Sequence, residues 1–230
     1  RIVEILDQAD VLRQKRKQTL NHLNENLNSI YLEMFGDPIK NPKKWESIKL
    51  EDLLSNIDSG WSPKCMEQKA PAENWGVLKL SAITKCNYNE NQNKQLPDLL
   101  QPKPSIEVKK GDILFSRKNT YDLIAATAYV FNTRPKLMLS DLIFRLKIND
   151  TSVIKPEYLW KTLTHPGKRK EIQKLAGGAS GSMPNISKEK LRNIYITVPP
   201  IDLQNKFLQI VNDTEILKEK MLNQSINLDV

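Results

Sequence analysis

The apolar residues of positions 1–36 follow the period of an α-helix. They return at steps of three and four, with one break between Arg16 and Thr19, and this spacing places them along one side of a helix. Neither Pro nor Gly interrupts the segment before Gly36, so the pattern predicts one helix about 50 Å long. Its apolar seam consists of Ile2, Leu6, Ala9, Leu12, Leu20, Leu23, Leu27, Ile30 and Met34.

A second helical pattern begins after Val198-Pro199-Pro200. Both seams are narrow and both helices are otherwise polar, so each requires a partner helix. We expect the helices at 1–38 and 201–230 to form an antiparallel coiled-coil stalk that brackets a globular domain at 39–200. Alternatively, each helix packs separately on the globular part. The second seam consists of Leu203, Phe207, Ile210, Thr214, Leu217, Met221, Gln224 and Leu228.

Between the two helices, short apolar runs alternate with Gly, Pro, Asn and Ser, which is typical of strands joined by turns. The predicted strands are 76–83, 124–131, 137–148 and 193–198, and a hairpin at 105–115 turns at Lys110-Gly111-Asp112. The predicted helices are 48–57, 156–175 with a break at 165–167, and 187–191. The pattern shows no regular βαβ alternation, so the predicted fold class is α+β, strand-rich and mixed, between two long terminal helices.

The charge balance adds a partner to this picture. A formal net charge of +8 and a pI of about 9.3 favour a polyanion such as DNA. Taken singly, each basic cluster is equally compatible with a solvated surface. The clusters lie at 13–17, 40–44, 109–110, 117–118 and 168–170.

Other features restrict location and chain context. No apolar run reaches the roughly 20 residues of a membrane span, and no leader pattern precedes the first helix, so we expect no membrane partner. Cys65 and Cys86 lack metal-site spacing and indicate free thiols in a cytoplasmic protein. The chain begins with Arg1 rather than Met, which indicates a fragment or a missing start.

Candidate catalytic chemistry is sparse. His22 and His165 are the only histidines, without a third metal ligand in sight. The glycine-rich segment at 177–182 lacks the preceding strand and the Gly-Lys-Ser/Thr ending of a phosphate-binding loop. We therefore expect no cofactor bound by this chain and no enzymatic activity.

One enzymatic alternative remains open. Asp98, Glu107 and Lys109 match the loose pattern of a Mg²⁺-dependent nuclease, in which two carboxylates hold the metal and a lysine polarises the attacking water. In the other interpretation, Glu107 and Lys109 are the solvent-facing positions of the first hairpin strand.

The loops carry the side chains that DNA recognition uses. Lys and Arg contact phosphates, whereas Arg, Lys, Asn, Gln and Ser contact base edges. Each loop could equally be a plain surface turn. The candidate DNA-binding residues are Ser59, Trp61, Ser62, Lys64, Lys79, Arg117, Lys118, Asn119, Thr120, Tyr121, Ser180, Ser182 and Asn185.

Six stretches, in this order, resemble the specificity subunits of type I restriction-modification systems. Each is weak alone, and together they cover essentially the whole chain. They are the end of the first helix at 31–38, then 108–117, 139–146, 156–160, 181–187 and 196–204.

The resemblance implies a non-catalytic role in DNA recognition. Such subunits carry two target-recognition domains held apart by antiparallel helices. Each domain recognises one half of a bipartite site in double-stranded DNA, and the helices dock methyltransferase subunits. S-adenosylmethionine, Mg²⁺ and ATP would bind to those methyltransferase subunits and to the restriction subunit of the complex.

This chain holds one recognition domain. It looks like half of a full subunit, with the central spacer helix at its front, or like a half-length subunit that forms a homodimer through its helices. Arg117, Lys118 and Asn119 are the first candidates for DNA contact. A coiled-coil assembly module without sequence-specific DNA binding is the remaining alternative.

Overall fold

The computed structural model describes the backbone of residues 2–177 and 183–226, and the side chains of 7–8, 10–177 and 183–222. Two long helices stand at the ends of the described chain, α1 at Ile2–Phe35 and α6 at Ile201–Ile226. A mixed body of strands and short helices lies between them. The α+β class and the two terminal helices are therefore confirmed.

Nine strands and four short helices build the described body. The helices are α2 at Leu50–Leu53, α3 at Pro156–Thr164, α4 at Pro166–Gln173 and α5 at Lys188–Arg192. The strands are β1 at Glu46–Lys49, β2 at Leu54–Ser59, β3 at Gly76–Leu78, β4 at Asn93–Gln95, β5 at Ile113–Ser116, β6 at Thr127–Tyr129, β7 at Leu137–Met138, β8 at Ile143–Ile148 and β9 at Tyr195–Val198.

The central sheet has four antiparallel strands in the order β2-β8-β5-β6. A three-stranded sheet, β4-β3-β7, and the pair β1-β9 lie apart from it. Alternate residues of a strand point to opposite faces of its sheet. Ile113 and Phe115 thus join the main core, which also contains residues of α1, α3 and α6, whereas Leu114 joins a second core with Leu78 and Ile143.

The two terminal helices meet the body at an aromatic cluster. Tyr31 and Phe35 of α1 contact Tyr158 of α3 and Phe207 of α6, with ring centroids 4.8–5.9 Å apart. The Tyr31 hydroxyl lies 2.9 Å from the hydroxyl of Thr162. Buried aromatic pairs contribute about 0.5–1.5 kcal/mol beyond their burial. This cluster therefore fixes the end of α1 and the start of α6 on the body.

The predicted seam of α1 is correct only near the body. Leu27 is buried, but the next buried side chains are Tyr31 and Phe35, which the seam omitted, and Leu12 is exposed. The body selects the buried face where it covers the helix, so large aromatic residues displace the neighbouring aliphatic stripe. The side chains of Ile2, Leu6, Ala9, Gln224 and Leu228 lie outside the described residues.

The predicted helix at 48–57 is wrong. Only α2, a single turn, is helical, and β1 and β2 flank it. β1 pairs with β9 and β2 pairs with β8. These long-range ladders outweigh the local helix propensity of residues 49–54, which is a weak preference.

The predicted hairpin at 105–115 is also wrong in its first arm. Residues 104–106 form a 3₁₀ turn, and Glu107 pairs with Met138 rather than with β5. The turn itself is present, because Gly111 has φ +92° and Asp112 donates its N–H to Lys109.

Three predicted strands are shorter or divided. The segment at 76–83 is strand only through β3 and then turns at 80–82, and the segment at 124–131 keeps only β6. The segment at 137–148 divides into β7 and β8, which belong to different sheets. The helix break at 165–167, the short helix α5 and the last strand β9 are confirmed.

Within the described part of the chain, no helix combines the length and the apolar character that crossing a membrane would require.

Candidate nucleic-acid interface

Three connections of the central sheet meet at one of its ends. Ser59, the last residue of β2, lies opposite Phe144 of β8, and Ser116, the last residue of β5, lies opposite Ile143. The segments that leave β2 and β5 therefore emerge beside the segment that enters β8. We call residues 59–64, 117–121, 139–142 and 183–186 the loop cluster.

A close backbone approach joins the 59–64 segment to the 139–142 segment. A Cβ atom on Gly60 would lie 2.2 Å from the carbonyl oxygen of Leu139 and 2.4 Å from that of Ser140. The next residue, Trp61, donates its N–H to Leu139 at 2.9 Å. Only glycine permits this contact, so Gly60 fixes the distance between the two loops.

Hydrogen bonds then connect the candidate residues. The Ser62 hydroxyl donates to the Asp141 carboxylate, and the Asp141 N–H donates back to Ser62 at 3.1 Å. Arg117 Nε donates to Asn185 Oδ1 at 3.1 Å, and Nη1 lies 3.5 Å from the Asp141 carbonyl oxygen. A continuous polar chain thus links all four segments of the loop cluster.

The 183–186 segment is held by backbone bonds to the 117–119 segment. Ile186 donates to the carbonyl of Arg117 at 2.8 Å, and Lys118 bridges to Asn185. Asn185 also exchanges two bonds with Gly177, at 2.8 and 3.0 Å. The position of Asn185 is therefore fixed by backbone on both sides.

Two cations lie over the ring of Phe144. Arg117 Cζ is 5.1 Å and Lys188 Nζ is 5.6 Å from the ring centroid. Each contact contributes about 0.5–1 kcal/mol at an exposed site. Among the described residues, Nη2 of Arg117 has no hydrogen-bond partner, so this nitrogen remains available to an external acceptor.

A buried ion network supports the sheet beneath the loop cluster. Arg145 of β8 binds Asp58 Oδ2 through Nε and Nη2, at 2.9 and 2.7 Å, and Asp112 Oδ2 at 3.3 Å. It also donates to the carbonyls of Ser105 and Glu107 at 2.9 and 2.8 Å. One guanidinium thus ties β2 and the 105–112 segment to β8.

The two carboxylates of this network titrate differently. Burial alone would raise the pKa of Asp58, but the bonds from Arg145 and Lys147 outweigh it and lower that pKa. Burial raises the pKa of Asp112 despite the bonds from Lys109 and Arg145. Asp58 is therefore the main counter-charge of Arg145.

A basic cleft continues the surface beside the loop cluster. Tyr121 lines a cleft of about 450 Å³ together with the basic residues of α4 and its C-terminal end. Arg169 Nη2 donates to the Asp122 carbonyl at 2.7 Å and holds the 121–122 segment on α4. The basic residues that line the cleft are Arg169, Lys170 and Lys174.

Comparison with known proteins identifies the family. The family model described as the type I restriction modification DNA specificity domain matches residues 42–228. The chain belongs to this family.

Relatives extend beyond this chain. The specificity subunit of the type I restriction enzyme EcoEI from Escherichia coli is 34% identical over 177 residues, which are 76% of this chain and 30% of that subunit. The solved HsdS subunit from Thermoanaerobacter tengcongensis has a TM-score of 0.54 at 14% identity, and the alignment covers 97% of this chain and 52% of that one. The type I S subunit from M. genitalium has a TM-score of 0.58 at 14% identity, covering 98% and 57%.

Within this specificity domain, the structure brings together most of the predicted contact residues. Ser59, Trp61, Ser62, Arg117 and Asn185 meet in the loop cluster. Lys64, Thr120 and Tyr121 are exposed there, and Lys118 is half-buried. Ser180 and Ser182 lie outside the described residues.

Two predicted contact residues are placed differently. Asn119 is only 6% exposed; its Oδ1 accepts the N–H of Thr120, and its Nδ2 has no partner in the described structure. Contact between Asn119 and DNA therefore stays a prediction that requires the loop to open. Lys79 is exposed but lies by the three-stranded sheet, where its N–H binds Gln92.

The specificity domain also contains candidate residues that the sequence did not single out. Lys103 Nζ lies 4.3 Å from the ring centroid of Trp61, and Lys188 lies over Phe144. Asp141 joins Ser62 to Arg117. Asp141 lies inside the 139–146 stretch and Lys188 directly follows the 181–187 stretch, so both had a usable sequence signal, whereas the contact of Lys103 with Trp61 depends on long-range folding.

The residues of the nuclease alternative are engaged elsewhere. Glu107 Oε1 accepts the N–H of Lys136 at 2.7 Å, and Asp98 lines a different cleft beside Trp75 and Leu100. In the described residues, no three His, Cys, Asp or Glu side chains gather as a metal site. The geometry gives the nuclease hypothesis no support.

Proposed function

We propose that this chain recognises one half of a bipartite sequence in double-stranded DNA through its loop cluster. The observation that carries the proposal is the meeting of Ser62, Arg117 and Asn185 at one sheet end, although they lie far apart in sequence. Because the chain belongs to a family of DNA specificity domains, we take DNA as the ligand of the loop cluster.

Side-chain chemistry indicates which residues of this surface contact phosphates and which contact bases. Lys64, and Lys170 and Lys174 in the neighbouring cleft, are exposed cations suited to phosphates. Arg117 is held from one side by Asn185 and Phe144 and keeps Nη2 available. A pre-positioned guanidinium is suited to a guanine edge in the major groove.

The rest of the proposal concerns partners. The helices α1 and α6 dock methyltransferase subunits, which bring in the restriction subunit. This chain performs no catalysis, and S-adenosylmethionine, Mg²⁺ and ATP bind to those partners. Because it acts on DNA, we expect the chain to work in the cytoplasm. The second half of the bipartite site is recognised by a second domain, which comes from further chain or from a second copy of this chain.

An antiparallel coiled-coil stalk of α1 and α6 is part of this proposal. The end of α1 contacts the start of α6 through Tyr31, Phe35 and Phe207. Earlier residues of α1, near Asn24, share a cleft with later residues of α6, near Glu215. This reversed order supports an antiparallel pair.

The test is selection from a random duplex pool, with and without the cognate methyltransferase subunit, at two salt concentrations. We expect one short base pattern, which the partner sharpens. Arg117→Ala should cost about 1–3 kcal/mol and relax one position of the pattern. Arg117→Lys retains the charge but loses the planar guanidinium that Asn185 and Phe144 orient, so it should recover affinity more than specificity.

Lys109→Ala is the matched control, because Lys109 is exposed and lies outside the loop cluster. It should leave the selected pattern unchanged. Binding without any selected pattern would overturn sequence recognition, and no binding at low salt would favour an assembly module.

A further inference from the structure

A second polar cleft lies at the junction of the terminal helices and the body. It has a volume of about 250 Å³, and five parts of the chain line it: α1, residues 85–87, Phe131, α3 and α6. We call it the junction cleft. The proposed DNA contacts do not use it.

The junction cleft and the loop cluster lie toward opposite ends of β6. The connection from β5 to β6 enters β6 at Thr127, and Phe131 follows the opposite end of that strand. Phe131 lines the junction cleft, whereas Arg117 and Tyr121 lie in the connection. DNA on the loop cluster would therefore leave the junction cleft open to another partner.

Two side chains of the cleft are nine-tenths buried and unpartnered. Lys161 is 8% exposed, and within the described structure its ammonium makes no hydrogen bond or ion pair. Its Nζ lies 5.3 Å from the centroid of the Trp160 ring. Trp160 is 7% exposed, and its indole N–H also lacks a partner there.

Leaving such donors unpaired is unfavourable. A buried polar group without a hydrogen bond destabilises the folded state, and an unpaired buried charge does so more strongly. Both groups are donors only. The Trp160 N–H is fully enclosed, so a molecule that enters the cleft meets the Lys161 ammonium and must offer it acceptor atoms.

The surrounding charges favour an anionic acceptor. Lys218 and Lys85 also line the cleft, and the one carboxylate among its described lining residues, Glu215, accepts a bond from Lys218 at 2.5 Å. Burial and the nearby Lys218 lower the pKa of Lys161 to about 8, while Glu215 and Cys86 act in the opposite direction. The ammonium is still mostly protonated at neutral pH, so it can bind an anion.

The volume and the lining residues of the junction cleft restrict which anion it can bind. Cofactor-sized pockets usually have about 300–1,000 Å³, and this cleft is smaller. Asn24 and Asn28 of α1 also line it. Their amides can bind the peptide groups beside an inserted side chain, which free phosphate lacks.

We propose that the junction cleft binds one carboxylate, supplied by an acidic side chain of the protein that docks on α1 and α6. The partner's identity as a methyltransferase subunit rests on the proposed function, whereas the carboxylate site does not. The partner's acidic residue would pair with the ammonium of Lys161, beside the ring of Trp160. Docking would then be coupled to the orientation of the helices on the body.

The first experiment uses the chain alone with sodium acetate as the probe. The indole N–H resonance of Trp160, assigned with Trp160→Phe, is followed by NMR against sodium chloride at equal ionic strength. We expect a saturable shift with acetate and a rise in the pKa of Lys161. Lys161→Met, which retains the aliphatic stem, should abolish the shift.

Two results would overturn the site. One is a Trp160 resonance that does not respond, or that responds equally in Lys161→Met. The other is tighter binding of inorganic phosphate than of acetate, which would exclude a site for a carboxylate.

The second experiment measures binding of the cognate methyltransferase subunit. Lys161→Met should weaken it by at least about tenfold, because a buried charge pair is lost, with DNA selection unchanged. Lys109→Met is the control and should bind like the wild type. Equal affinity for Lys161→Met would refute the docking role, whereas no binding even by the wild type would refute the proposed function and leave the acetate result to decide the site.

Discussion

Arg145 shows how one residue organises this domain. Its side chain is 6% exposed and contacts two carboxylates and two carbonyl groups from two segments, β2 and residues 105–112. Removing one partner of a buried ion pair leaves uncompensated charge, which is far more destabilising than losing a surface pair. The network therefore supports the sheet end from which the loop cluster emerges.

We expect Arg145→Met to lower the free energy of unfolding by about 3–5 kcal/mol. Lys147→Met is the matched control, since Lys147 binds the same Asp58 at 3.1 Å but is half exposed. It should lose no more than about 1 kcal/mol. Urea unfolding at pH 7 checks both values, and equal losses would show that burial of the network does not matter.

Lys161 gives a pH-dependent prediction. Its pKa is about 8 in the folded protein against an ordinary value of 10.5. Between these values the unfolded chain binds more protons, so stability rises with pH. Relative to Lys161→Met, the wild type should gain about 2 kcal/mol between pH 7 and 9.5.

Paired urea titrations of wild type and variant at the two pH values measure this gain. The comparison removes the titration of the buried tyrosines, which both proteins share. A constant difference between the two proteins would mean that Lys161 keeps its ordinary pKa.

The types of residue in the loops predicted some members of the loop cluster correctly, but they could not predict which of those residues would be buried. Arg117, Ser62 and Asn185 carry suitable chemistry, and the structure brings them together. The burial of Asn119 depends on how the 184–186 segment packs on its loop, which local sequence does not encode.

At the scale of elements, long-range strand pairing determined the structure where the local sequence pattern predicted it wrongly. Residues 48–57 have helical character, yet β1 and β2 each find a ladder partner nearly 90 residues or more away. Where no such ladder competes, the helix break at His165 and the cap of α5 by Ser187 follow the local sequence. Strand partners lie beyond what a single sequence pattern shows.

Gly60 links two elements, so its substitution should act on the loop cluster as a unit. In Gly60→Ala, the new Cβ would overlap the carbonyls of Leu139 and Ser140, and backbone must move. We expect a loss of stability of about 2 kcal/mol or more, together with a loss of the selected base pattern. Gly177→Ala is the control, because among the described residues its Cβ would meet only Lys190 Nζ, at 3.4 Å.

Thermal unfolding and duplex selection on both variants check the prediction. If Gly60→Ala keeps the wild-type pattern, the spacing between the 59–64 and 139–142 segments does not determine recognition.

At the scale of the whole molecule, the sequence predicted the general arrangement but not the connections. Two terminal helices around an α+β body are confirmed. The division of residues 137–148 between two sheets was not predicted, because one apolar run gives no sign of which neighbour each half will pair with. That division creates the 139–142 segment, on which the loop cluster depends.

The last prediction concerns self-association. The chain spans about half of the solved subunits it resembles, and Val11, Leu12, Ile216 and Leu217 leave apolar surface exposed on α1 and α6. A second copy paired through these helices would cover that surface and supply a second recognition domain. We therefore expect a concentration-dependent dimer, and Leu12→Glu with Leu217→Glu should shift it to monomer.

Sedimentation velocity at protein concentrations from about 1 to 100 μM detects dimers whose Kd lies in that range. It distinguishes the dimer from the monomer. Leu99→Glu is the control, because Leu99 is 96% exposed and lies in the body. It makes the same chemical change away from the helices and should leave the dimer intact. A wild-type chain that stays monomeric throughout would assign the apolar helix surface to another protein, and the second half-site would then have to come from further chain.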